Sequence, residues 1–156
     1  METRTKESSL YNVAEVELIY KSKVRASERA QITSSKDAYQ VFLQIWDDNK
    51  IEFVEQFKVL FLNRANKVLG AFDVSSGGIS GTVADPRVIF VAAFKTHSSG
   101  ILVAHNHPSG NLKPSRQDEE LTQKIKQAGQ LLDVKLLDHL IISNESYYSF
   151  ADEGLL

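Results

Sequence analysis

No cysteine occurs in the 156 residues of this chain. Disulfides and thiolate ligands are thereby excluded, so any transition-metal site has to be built from imidazole nitrogen and carboxylate oxygen. A surplus of positive charge is missing too. Eighteen basic and twenty acidic side chains give a formal net charge of -2, so no global field draws the chain to phosphate backbones or anionic membranes. Nucleic-acid binding would need a local patch. No apolar run approaches the roughly 20 residues that span a bilayer, and the opening METRTKESSL is polar, without the apolar segment of a signal peptide. The expectation is a cytoplasmic protein with no membrane partner. Internal repeats and low-complexity segments are also lacking, and with 42% hydrophobic residues the length suits one core of ordinary size.

Apolar periodicity organises what is present. Residues 1–10 are charged and rich in Ser and Thr, as in a frayed arm, and Val13 to Tyr20 alternates well enough (Val16, Leu18, Tyr20) to predict a strand. Residues 1–30 are therefore expected to form an N-terminal arm and extension strand on a main domain covering 31–156. In that domain Ala38, Val41, Phe42 and Ile45 recur at helical spacing behind Ser34, Ser35 and Asp37, which predicts a capped helix over Asp37–Trp46. Glu55–Leu62 and Lys67–Val74 flank the turn-like NRAN and predict an antiparallel hairpin. SSGGISGT predicts a glycine-rich turn, and Asp85-Pro86 supplies a cap and a first-turn proline for a helix over Pro86–Lys95. Ile101–Ala104 has the composition of a buried strand, Ser115–Gln130 of a long helix, and Val134–Ile142 and Tyr147–Phe150 of two further strands. The expected fold class is α/β, a single domain with a mixed β-sheet flanked by helices.

Chemistry concentrates where the Ile101 strand ends. In His105-Asn106-His107 the imidazoles stand two residues apart, so an extended backbone sends both to one side. Pro108-Ser109-Gly110 turns the chain, and Asp118 sits in the first turn of the next helix, which can face the strand end. Two His and one Asp form a three-ligand set for zinc, leaving one open position for water as catalytic sites do. Water activated there still needs a base to accept its proton.

The run HNHPSGNLKPSRQD carries the spacing His-x-His, seven residues, Ser, two residues, Asp. With SSGGISGTVADPR, AHNHPSG and LLDHLII around it, the chain from Gln31 to Leu156 resembles the RadC-like branch of the JAB/MPN (JAMM) metalloproteases. That resemblance implies a cytidine-deaminase-like architecture and a zinc-dependent peptidase or isopeptidase acting on a peptide or protein substrate. It implies zinc ligation by His105, His107 and Asp118, a general base at Glu55 and stabilisation of the tetrahedral intermediate by Ser115. Glu52, three residues before Glu55, is the alternative base. Isopeptidase members carry Ser or Thr where this chain has Asn106, and full-length RadC proteins carry an N-terminal helical region that this sequence does not show. The branch name also suggests a second function, a DNA-associated module of repair or mobile-element origin, which the charge balance does not support. A third is a non-catalytic scaffold.

Plainer readings stand beside these. Ser115 and Asp118 have the spacing of a helix capping box, Glu119 and Glu120 suit a solvated first turn, and His97 suits an exposed helix end. His139, inside an apolar strand, has the setting of a structural residue hydrogen-bonded to its surroundings. Gly77, Gly78 and Gly81 lack the spacing of a phosphate-binding loop. Tyr147, Tyr148 and Phe150 suit a core or edge strand better than a base-stacking platform, because no basic cluster flanks them.

Overall fold

The computed structural model describes residues 13–17, 19–77 and 83–156. A five-stranded sheet runs β2-β1-β3-β4-β5, with strands β1 (Gln56–Leu62), β2 (Val68–Ser76), β3 (Gly100–Asn106), β4 (Lys135–Ile142) and β5 (Tyr147–Ser149). Among the described residues only β3 and β4 pair in parallel, so the sheet is mixed. Helix α1 (Ser35–Ile45) covers one face, and α2 (Pro86–Lys95) and α3 (Arg116–Leu131) cover the other. The residues pointing to alternate faces therefore build two cores. Phe57, Val59, Phe61, Ile101 and Val103 pack toward α2 and α3, while Leu60, Leu62, Leu102 and Ala104 pack toward Phe42 and Trp46 at α1. This is the single α/β domain with a mixed sheet that the periodicity predicts.

Local chemistry explains the element ends. Ser34 accepts the amide of Asp37 and opens α1 two residues before the predicted start, and Asp85 accepts the amide of Arg87 ahead of Pro86 at the start of α2. Asn63 closes the β1–β2 hairpin by accepting the amides of Ala65 and Lys67 on its side-chain oxygen. Ser115 and Asp118 form the full capping box at α3, each side chain accepting the other's backbone amide.

The predicted strand over Val13–Tyr20 does not form in the described residues. Val13, Val16 and Ile19 stay exposed and no strand ladder forms; the Tyr20 hydroxyl instead donates to the Leu69 carbonyl in the edge strand β2. Alternation alone stabilises no strand without a partner. The chain first joins the sheet at Gln31, which bridges Lys67. Most of the predicted glycine-rich turn, with Gly78 and Gly81, lies outside the described residues.

One glycine is required by packing. A Cβ on Gly129, on the buried side of α3, would stand 2.3 Å from the Val134 carbonyl oxygen, where the chain turns back from α3 into β4. Gly129→Ala should therefore destabilise the fold by about 1–3 kcal/mol through overpacking, even though Ala is the better helix former. Urea denaturation measures it, and an unchanged midpoint would mean that the α3–β4 turn yields freely.

Candidate metal centre

The site forms at the end of β3 because that strand's end and the first turn of α3 deliver three side chains to one place. His105 lies on the α3 side of the sheet, its ring stacked on Phe57 with centroids 5.9 Å apart, and His107 follows two residues later. The turn after it, closed by the Gly110 amide on the His107 carbonyl (2.8 Å) with Gly110 at φ 79, leads into α3, whose first turn presents Asp118. His105, His107 and Asp118 each offer a ligand atom within 4.8 Å of the others.

The separations fit a metal. His105 Nε2 is 3.0 Å from His107 Nε2 and 3.2 Å from Asp118 Oδ1, and His107 Nε2 is 3.4 Å from Asp118 Oδ2. Zinc–nitrogen bonds of about 2.0–2.1 Å put neighbouring corners of a tetrahedron about 3.3 Å apart. Three such lone-pair-bearing atoms repel one another unless a proton or a cation lies between them. The site opens on one side, since the His105 side chain is 2% exposed whereas His107 and Asp118 are 18% and 15% exposed.

Hydrogen bonds outside the cluster fix its orientation. His107 Nδ1 donates to the Asn111 carbonyl at 2.6 Å, which leaves Nε2 for the site. Hydrogen bonding to Asp118 raises His107 above the ordinary imidazole value; burial opposes this, while the Asn111 carbonyl and the Asp118 and Glu55 charges add to it. Burial pushes Asp118 up, but hydrogen bonds from His105 and His107, with the Ser115 amide, outweigh it and hold the carboxyl well below the usual range. Asp118 is thus an anion and a competent ligand.

Glu55 and Glu52, three residues apart, part company. The β1–β3 pairing ends at Phe57 opposite His105, and Glu55 precedes Phe57 by two residues, its carbonyl accepting the Gly77 amide at 2.8 Å. Glu55 is half-buried, and its charge is the smallest of the influences that raise His107. Glu52 is exposed and faces Asn144, in the β4–β5 turn, at 3.4 Å. Ser115 is exposed beside Asp118; its Oγ accepts the Asp118 amide, a cap worth about 1 kcal/mol, and among the described residues its hydroxyl donates to none.

Three further residues take part in holding the site. Asn106, fully buried, accepts the Gln56 amide (2.8 Å) and donates to the carbonyls of Ile51 (2.7 Å) and Val54 (2.8 Å), which clamps the segment carrying Glu55. His139 is hydrogen-bonded within the core, as its setting predicts, but one partner is His105 itself, Nε2 to Nδ1 at 2.8 Å. Its other nitrogen meets Thr122 Oγ1 at 2.6 Å. Burial, with His105 beside it, pushes His139 well below the ordinary imidazole value, so it is neutral. Thr122 was findable in the sequence as the residue one helical turn after Asp118, whereas the approach of His139 depends on strand register. His97 is exposed at the end of α2, Tyr147 stacks on Tyr39, and Phe150 is buried against His139, each a structural placement.

A family model described as "RadC-like JAB domain" matches residues 32–155. The chain is 49% identical over 125 residues to a UPF0758 protein of Flavobacterium johnsoniae, covering 80% of this chain and 53% of that protein. It is 44% identical over 129 residues to a UPF0758 protein of Porphyromonas gingivalis (82% and 56%) and 38% identical over 128 residues to one of Staphylococcus haemolyticus (82% and 55%). The chain thus spans little more than half the length of these relatives. Among the described residues no helix is long and apolar enough to cross a membrane.

Proposed function

This chain belongs to the RadC-like JAB family, and from that footing we propose that it is a zinc-dependent hydrolase cleaving a peptide or isopeptide bond. The observation that carries the reading is the convergence of His105 Nε2, His107 Nε2 and the Asp118 carboxylate at 3.0–3.4 Å, open on one side. His105, His107 and Asp118 would hold the zinc. When bound, zinc supplies a Lewis acid for the scissile carbonyl and lowers the pKa of water. Glu55 takes a proton from the attacking water on a carboxylate oxygen and returns it to the nitrogen of the leaving amine as the C–N bond breaks. Ser115 donates its hydroxyl proton to the oxygen that gains charge. Asn106 keeps Glu55 in place, so the residue between the two histidines serves the architecture of the site rather than contact with substrate.

Zinc-loaded protein should cleave members of a peptide and isopeptide library, lose that activity to a chelator and regain it with added zinc. Steeply salt-dependent DNA binding without amide cleavage would contradict a hydrolase and favour a nucleic-acid module.

A further inference from the structure

Four groups form a closed ring that joins two of the three proposed metal ligands from behind. Thr122 Oγ1 lies 2.6 Å from the Asp118 backbone carbonyl and 2.6 Å from His139 Nδ1; His139 Nε2 lies 2.8 Å from His105 Nδ1; and His105 Nε2 returns to Asp118 Oδ1 at 3.2 Å. The direction of the hydrogen bonds follows from the one member that has no choice. A backbone carbonyl only accepts, so the single Thr122 hydroxyl proton points to Asp118 O. Thr122 oxygen must then accept from His139 Nδ1–H. The His139 ring is fully buried between Phe57 and Phe150 and, among the described residues, hydrogen-bonds only Thr122 and His105, so it carries one ring proton and presents a lone pair at Nε2. His105 consequently carries its proton on Nδ1.

We infer that His139 and Thr122 are positioning residues that hold His105 in the Nδ1-protonated form, with Nε2 aimed at the metal. This assignment rests on the metal site proposed above. It also gives a use to an irregularity in the sheet. Between Ile101 and Leu102 of β3 the β4 register slips by one residue, from Ile101↔Leu136 to Leu102↔Asp138. Leu137 and Asp138 therefore both lie toward the α1 face, and His139 turns to the face of His105 rather than away from it. Asp138 secures the slip: its Oδ1 accepts the amides of His139 (2.7 Å) and Ala151 (3.0 Å), and its Oδ2 accepts the Ser149 hydroxyl (2.5 Å). A regular strand would have pointed His139 into the other core.

Nitrogen NMR of the full chain with labelled histidine reads the tautomers without any substrate. In the metal-free protein His139 should be protonated on Nδ1 and bare on Nε2, with a proton on His105 Nδ1; on adding zinc, His105 should ligate through Nε2 and keep that proton. Thr122→Val, close in shape, should weaken zinc binding by about 10- to 100-fold in competition with a chromogenic chelator, and Thr122→Ser should restore it. His139→Leu should lose affinity similarly, with partial recovery in His139→Gln, whose amide oxygen can accept from His105. A proton on His139 Nε2, or wild-type zinc affinity in both Thr122→Val and His139→Leu, would overturn the inference and leave both residues as packing. If the wild type binds no zinc, the metal site itself fails, while the metal-free tautomers still decide the ring.

Discussion

Glu55→Gln should keep its zinc and lose turnover by about 100- to 10,000-fold, the range that a general acid–base group contributes. The expectation rests on placement. Glu55 stands two residues before Phe57, which pairs with His105, and its charge bears on His107, yet it stands outside the cluster of His105, His107 and Asp118. Glutamine preserves its shape and removes its ability to take a proton. Zinc content and steady-state cleavage of an amide substrate, measured on one preparation, separate the two effects. Glu52→Gln is the control, because Glu52 is exposed and turned to Asn144. Loss of activity in the control with retention in Glu55→Gln would name the other glutamate as the base. Full activity in both, with zinc bound, would sink proton transfer by either.

Much of the scaffold was legible because its signals are local. Asp85-Pro86 and the end of the apolar repeat at Lys95 mark α2 at the bounds it has in the fold, and the Ser115–Asp118 spacing marks the start of α3. The convergence of His105, His107 and Asp118 followed from period-two geometry on a strand and a short turn into a helix, both properties of neighbouring residues. The rest depends on distant partners. Val13–Tyr20 has the alternation of a strand but pairs with none among the described residues, and Val13, Val16 and Ile19 stay in water. His139 looked like a core histidine because strict alternation says nothing of a register slip at Leu137, and that slip is what turns its ring toward His105. Asn106 stands where the isopeptidase pattern has Ser or Thr. Its work, three hydrogen bonds to a segment fifty residues away in sequence, needs the folded chain to be seen.

The remaining large effect concerns the metal itself. Asp118→Asn should weaken zinc binding, because a neutral amide replaces the anion whose oxygens face both histidines, and the same change weakens the bond to the Ser115 amide that fixes the side chain. The fold should persist without zinc, since two apolar cores on either side of the sheet hold it together independently of the site. Elemental analysis of the purified chain beside a His105→Ala, His107→Ala double variant is the most direct measurement. It should find about one zinc per wild-type chain and almost none in the double variant, which stays folded by circular dichroism. Stoichiometric zinc retained by that double variant would contradict the site, and global unfolding of the wild type on chelation would make the metal structural rather than catalytic.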